Sequence, residues 1–192
     1  MRLILLIIFL TASIVAPAQH FDGHKKINGT RLYLSIRGKG ETLVVVHGGP
    51  GLNHHYFKPH FHELEKKFRV VYYDQRASGK SAIPSPDSIS LKFFADDLEA
   101  IRQELNVEKL NILAHSWGAV PAIHYALRYP DKVNKLILSN TALLSREYDA
   151  EAAALAREHM SMEDSTQRGN ILAKGSLDPV RYDRLMHLSF RA

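Results

Sequence analysis

Ser116 closes an apolar run, Leu110-Asn-Ile-Leu-Ala-His-Ser-Trp-Gly118, with Ala114 two positions before it and Gly118 two positions after. Small residues at those positions let a strand turn sharply into a helix and hold a serine up at the apex, the pattern of a nucleophile elbow. A serine hydroxyl presented this way, given a general base, attacks a carbonyl carbon and forms an acyl intermediate. The bland alternative is an ordinary serine buried at a strand end. Ala114 puts one methyl group where the elbow usually has glycine. His115 sits beside the serine, and neighbours on an elbow point apart, which argues against it as the base.

Two other segments carry chemistry at the ends of apolar runs. His47-Gly48-Gly49-Pro50-Gly51 follows Thr42–Val46 directly. Glycines there allow a tight turn and leave N–H groups uncovered by side chains, as an oxyanion site requires. A plain tight turn is the competing reading. Asp74-Gln-Arg-Ala-Ser-Gly-Lys-Ser81 follows Arg69–Tyr73. Its Gly79-Lys80-Ser81 suggests a phosphate loop, but that loop needs glycine where Asp74 stands. The following Ala-Ile-Pro-Ser-Pro also cannot open the helix that holds phosphates. The segment therefore reads as a structural turn in which Asp74 and Arg76 bond neighbouring loops.

The elements that must position these loops alternate between strand and helix. Arg31–Ile36 alternates apolar and polar residues, as a half-buried strand does. Thr42–Val46 is continuously apolar, as a strand covered on both faces would be. About 55–68 is helix-like, with Phe61, Leu64 and Phe68 at helical spacing, and Arg69–Tyr73 is the next strand. Ser90 can cap a helix carrying Phe93, Phe94, Leu98, Ile101 and Leu105 on one face. Leu110–Ala114 is a strand, Gly118–Tyr129 a helix ended at Pro130, and Lys135–Ser139 a further strand. Such alternation predicts an α/β fold: a mostly parallel sheet with helices on both faces, and chemistry at the carboxyl ends of its strands.

Composition narrows the classes. The chain of 192 residues is 45% hydrophobic, carries a net charge of +5 and has a pI near 9.4. Its basic pairs, Lys25-Lys26 and Lys66-Lys67, are isolated, so the excess charge reads as a solvated surface and no nucleic-acid partner is expected. His54, His55, His60 and His62 lack the i, i+4 spacing of a helical metal pair, and cysteine is absent, so neither a metal nor another cofactor is expected. Met1-Arg2, the apolar stretch Leu3–Val15 and Ala16-Pro17-Ala18 together read as a signal peptide over residues 1–18. The expectation is a secreted or periplasmic protein with no stable membrane association after cleavage.

The ordered set His47-Gly-Gly-Pro-Gly51, Asp74-Gln-Arg76…Gly79…Ser81 and Ala114-His-Ser-Trp-Gly118 resembles the α/β-hydrolase fold superfamily, and within it the proline iminopeptidase (prolyl aminopeptidase) branch. The resemblance covers about residues 24–145. It departs from the family at Ala114 and at Ala77, where glycine is usual. It implies Ser116 as nucleophile, the backbone N–H groups of Gly49 and Trp117 as the oxyanion hole, and His47, Gly48, Pro50 and Gly51 as a substrate-binding loop. It also implies domains at 19–145 for the N-terminal part of the core and 146–192 for the start of a helical lid.

The family's order is Ser, then Asp, then His. About six of its eight strands are expected by Ser139, so the chain reads as truncated, with an unpaired edge at Lys135–Ser139. His124 falls in the helix after the elbow, His159 and His187 fall in lid helices, and Asp178 and Asp183 read as helix-start and surface charges. No triad partner is assigned. Glu151, Glu158, Glu163 and Asp164 read either as recognition of a substrate's free amino group or as a solvated acidic face. The expected function is acyl transfer by a serine hydrolase on a small peptide or ester, releasing N-terminal proline or similar residues. The alternatives are an esterase of the same fold and a fragment that binds without turnover.

Overall fold

The computed structural model describes residues 20–142 and a few isolated positions between 154 and 170. In chain order the elements are β1 (Phe21–Ile27), β2 (Thr30–Arg37), β3 (Glu41–Val46), α1 (Lys58–Glu65), β4 (Phe68–Tyr73), α2 (Leu91–Glu104), β5 (Leu110–His115), α3 (Ala119–Arg128) and β6 (Val133–Ser139). The strands form one sheet in the order β1-β2-β4-β3-β5-β6. β3 runs parallel to both β4 and β5, and β5 parallel to β6, while β1 and β2 add an antiparallel margin.

β3 shows why the sheet needs helices on both sides. Val44 and Val46 face a core that includes Ile112, Ala114, Leu98, Ile101, Ala122 and Tyr125, the last four from α2 and α3. Leu43 and Val45 face the opposite way, toward Val70, Tyr72, Phe57 and the apolar side of α1. Successive strand residues point to opposite faces, so a continuous apolar run is buried only when both faces are covered.

β1 lies outside the strands expected from the sequence. Its inward positions include Gly23 and Lys25, which blur the apolar alternation. The Lys25 ammonium lies 5.1 Å from the Phe21 ring centroid and pairs with Glu104 at 2.5 Å. Asn28 and Gly29, with φ of 45° and 73°, join β1 to β2. Positive φ at both central residues matches the right-handed twist of the hairpin, and Asn-Gly is the dipeptide that tolerates it best.

Three boundaries also differ. A short 3-10 turn, His54–Phe57, precedes α1, and Phe68 opens β4 rather than closing a helix. Ser90 occupies the N-cap of α2, but its side chain makes no capping hydrogen bond. β6 begins at Val133, two residues early, and pairs with β5 alone among the described residues, leaving Ile137 and Leu138 exposed.

Candidate active site

β5 ends at His115 and a single 3-10 turn, Ser116–Gly118, leads into α3. Ser116 itself has φ of 54°. A non-glycine residue in the left-handed region costs of order 1–2 kcal/mol and persists only where its surroundings hold it. Two close approaches hold it here. A Cβ on Gly118 would lie 2.4 Å from the His47 carbonyl oxygen and 2.7 Å from that of Val46, so only glycine lets the start of α3 pass the end of β3. A Cβ on Gly48 would lie 3.0 Å from Ser116 Cβ and 3.4 Å from its Oγ. The loop after β3 thus lies against the serine with no side chain between them. Ala114 is fully buried, its methyl group accommodated within the core.

The loop at 47–51 turns its one long polar side chain inward. His47 is fully buried; its Nε2 accepts from the Gln75 amide at 2.9 Å and its Nδ1–H donates to the Gly48 carbonyl at 2.6 Å. The Gln75 side-chain amide also donates to the His47 carbonyl at 2.6 Å. Burial, only partly offset by the Gly48 bond, pushes the imidazole down from 6.5 to about 4, so it is neutral at pH 7. Gly49, at φ of 128°, precedes a cis peptide to Pro50, which is exposed. The Gly51 amide donates to Ser78 Oγ at 3.2 Å. Gly48 N–H donates to the hydroxyl of Tyr56 at 2.7 Å, and that hydroxyl lies 2.9 Å from His115 Nδ1. Trp117 sets its ring edge-on to Phe94, with centroids 5.2 Å apart, and its N–H lies in the first turn, where no intrahelical acceptor exists.

The loop after β4 holds this arrangement from below. Asp74 Oδ1 accepts from the His54 amide at 2.9 Å and from His54 Nδ1 at 2.6 Å, while Oδ2 accepts from the Lys80 amide at 2.8 Å. Burial works to raise this carboxyl, but the bonds from the His54 side chain and the Lys80 and His54 amides outweigh it and hold it below the usual aspartate value. A Cβ on Gly79 would lie 2.4 Å from Asp74 Oδ2, so glycine is required there. The Arg76 Nε and Nη2 donate to the two Asp97 oxygens at 2.7 and 2.5 Å, and its Nη1 donates to the Ser88 carbonyl at 2.7 Å. Arg76 and Asp97 are both 1% exposed; burial raises the Asp97 carboxyl against the pull of the guanidinium. Asp74 and Arg76 therefore do tie this turn to its neighbours. Ala77 takes φ of 57°, the conformation for which glycine is the easier residue.

The structure brings Ser116, Trp117, Gly48 and Gly49 to one end of the sheet, beside Tyr56 and His115. Tyr56 was not legible as a site residue, because nothing in its spacing links it to either strand end. Among the described residues no hydrogen bond joins a histidine to Ser116 Oγ: His47 is bonded to Gln75 and Gly48, and His54 to Asp74. His124 lies exposed on α3. Glu163 is exposed and accepts from the Gln167 side chain at 3.1 Å. Among the described residues no group of three or more His, Asp or Glu is placed to hold a metal. His159, His187, Asp178, Asp183, Glu151, Glu158 and Asp164 lie outside the described residues, as does the segment read as a signal peptide.

A family model for the α/β hydrolase fold matches residues 41–175, from the first parallel strand to beyond β6. The chain belongs to the α/β-hydrolase fold family. Among its curated relatives, this α/β-hydrolase is 36% identical over 134 residues to a proline iminopeptidase of Clostridium botulinum, and 37% identical over 128 residues to one of Lactobacillus helveticus. Those alignments cover 67% and 62% of this chain but 46% and 43% of the relatives, so the chain spans less than half the length of the curated relatives it matches. A solved proline iminopeptidase-related protein from Thermus thermophilus superposes with a TM-score of 0.64 at 27% identity, over 91% of this chain and 57% of that one. An epoxide hydrolase from Bacillus megaterium shares the fold at a TM-score of 0.63 and 23% identity, over 86% of this chain and 66% of that one.

Proposed function

We propose that the protein is a serine hydrolase that works by acyl transfer and releases N-terminal proline or similar residues from small peptides. The observation that carries the reading is Ser116 itself, held at a positive φ with Gly48 against its hydroxyl. Strain of that kind, maintained by a glycine contact on each side, is what presenting a nucleophile requires. In this reading Ser116 Oγ attacks the substrate carbonyl, a histidine takes its proton, and an acid orients that histidine. The N–H groups of Trp117 and Gly49 receive the negative oxygen, and His47, Gly48, Pro50 and Gly51 form the loop over which the substrate lies. No residue is assigned as that base or acid; in the family's order both follow the serine in the chain. Similarity to proline iminopeptidases supports the choice of substrate, and the apolar leader over residues 1–18 supports action outside the cytoplasm after its removal.

A fluorophosphonate probe tests the nucleophile, and aryl amides of proline and aryl acetates test the substrate. Labelling of wild type but not of Ser116→Ala, with turnover of the prolyl amide, is the expected result. Turnover of acetates alone would identify an esterase, and labelling without turnover would leave a binding protein. An unlabelled wild type would end the serine-hydrolase reading.

A further inference from the structure

We infer that Tyr56 is a positioning residue for the oxyanion site, its hydroxyl joining Gly48 in one loop to His115 at the base of the elbow. The inference rests on the reading of Ser116 as nucleophile and goes beyond it by assigning a residue outside both motifs.

Gly48 and Gly49 are consecutive and carry no side chains, so either N–H is a potential donor to an oxygen held near Ser116. The Gly48 N–H is already committed to the Tyr56 hydroxyl at 2.7 Å. An N–H bonded to a phenol has no proton left for an oxyanion. Tyr56 therefore selects the donor, leaving that task to Gly49, and fixes the His47–Gly48 peptide, while the His47 ring bonded to the Gly48 carbonyl fixes the next peptide, which carries the Gly49 N–H. The hydroxyl and the reacting atom both flank Gly48: a Cβ there would lie 3.4 Å from Ser116 Oγ and 3.4 Å from Tyr56 Oη.

The second bond of the hydroxyl closes the circuit. Its oxygen accepts from Gly48 and lies 2.9 Å from His115 Nδ1, to which the phenol donates when that nitrogen carries no proton. That direction requires an imidazole whose Nδ1 is unprotonated, and partial burial lowers the His115 pKa and favours the neutral ring. The ring of Tyr56 stands on a firm base. It packs 4.2 Å from Phe57, which is buried and packs in turn 4.8 Å from Phe61 of α1, and it meets the His115 ring edge-on at 5.5 Å. His115 is the residue immediately before the nucleophile. A displacement of the loop is thus registered at the elbow, and the serine and its oxyanion donors move as one unit. Misplacing such groups by about 1 Å costs on the order of a hundredfold in rate.

The test uses Tyr56→Phe in the full chain, with the maximal rate of fluorophosphonate labelling and the half-saturating probe concentration measured separately. The expected result is a maximal rate lowered about 10- to 100-fold with half-saturation nearly unchanged, because the Gly49 donor that Tyr56 positions is used only as charge develops on the oxygen, together with a lower melting temperature from the unmet Gly48 N–H. His115→Ala should lose several-fold, and His115→Asn, whose Oδ1 can replace Nδ1 as acceptor, should recover most of it. Tyr56→Phe combined with His115→Ala should be no slower than Tyr56→Phe alone, since both act through one hydrogen-bonded chain. Labelling of Tyr56→Phe at the wild-type rate, or additive losses in the double variant, would overturn the inference alone. An unlabelled wild type would overturn the hydrolase reading along with it.

Discussion

The loops that follow β3 and β4 leave adjacent parallel strands at the same end of the sheet, yet they are built in opposite ways. Residues 47–51 are mostly glycine, turn their one ionisable ring into the protein and lay bare backbone against Ser116. Residues 74–81 bury Asp74, Gln75 and Arg76 and spend nearly all their polar atoms on neighbours: His54, His47, Asp97 and Ser88. In the proposed function the first loop offers backbone to a substrate, and the second ties the surrounding elements together. Backbone donors are useful only when they do not reorganise, and a glycine-rich segment cannot stiffen itself.

The largest test of this division is Arg76→Ala. Among the described residues it strands the buried Asp97 carboxylate with only the Asn28 amide, at 3.0 Å, as a side-chain partner. Loss of one partner of a buried pair costs about 3–5 kcal/mol, so the melting temperature should fall by roughly 10 °C or more. Below that temperature, labelling of Ser116 should proceed at the wild-type rate. A folded Arg76→Ala protein with an inert serine would break the comparison.

Acid should separate the two loops. The His47 imidazole has its folded pKa depressed from 6.5 to about 4, so its contribution is complete above 6.5 and is lost as pH falls through that window. The shift amounts to at most about 3 kcal/mol, readable as a falling melting temperature between pH 6.5 and 4. Asp74 is also depressed, below 3.8, so the stability it confers survives that window and goes only under more acidic conditions. His47→Gln should flatten the first limb and spare the second.

Gly118→Ala should cost about 1–3 kcal/mol, because the added methyl group meets the His47 and Val46 carbonyls and one backbone must yield. Unlike Arg76→Ala, it should also slow labelling, since it displaces the seat of the first loop. The smallest effect is expected from Ala77→Gly in the second loop. Relief of left-handed strain of about 1–2 kcal/mol is partly cancelled by the greater freedom of glycine in the unfolded chain, leaving a gain of less than about 1 kcal/mol in a denaturant titration.

Much of the fold was legible because it rests on local pattern. The unbroken apolar run at Thr42–Val46 announced a strand covered on both faces, and Ser90 marked the start of α2. β1 was missed because Gly23 and Lys25 stand on its inward side, although Asn28-Gly29 is a hairpin signal in plain view. The antiparallel margin and the strand order β2-β4-β3-β5 could not be read, since pairing depends on contacts distant in the chain.

The same distinction applies to the site. Residue types at strand ends, small residues around Ser116 and glycines after β3 were determined by the sequence alone, because backbone conformations leave their requirements in adjacent positions. Tertiary structure decided that His47 is locked by Gln75, that Arg76 is neutralised by Asp97, and that Tyr56 reaches both Gly48 and His115. Those bonds span from 8 to 59 positions along the chain, and no local preference encodes them. They follow from the register of β3 between β4 and β5, which sets the loops side by side.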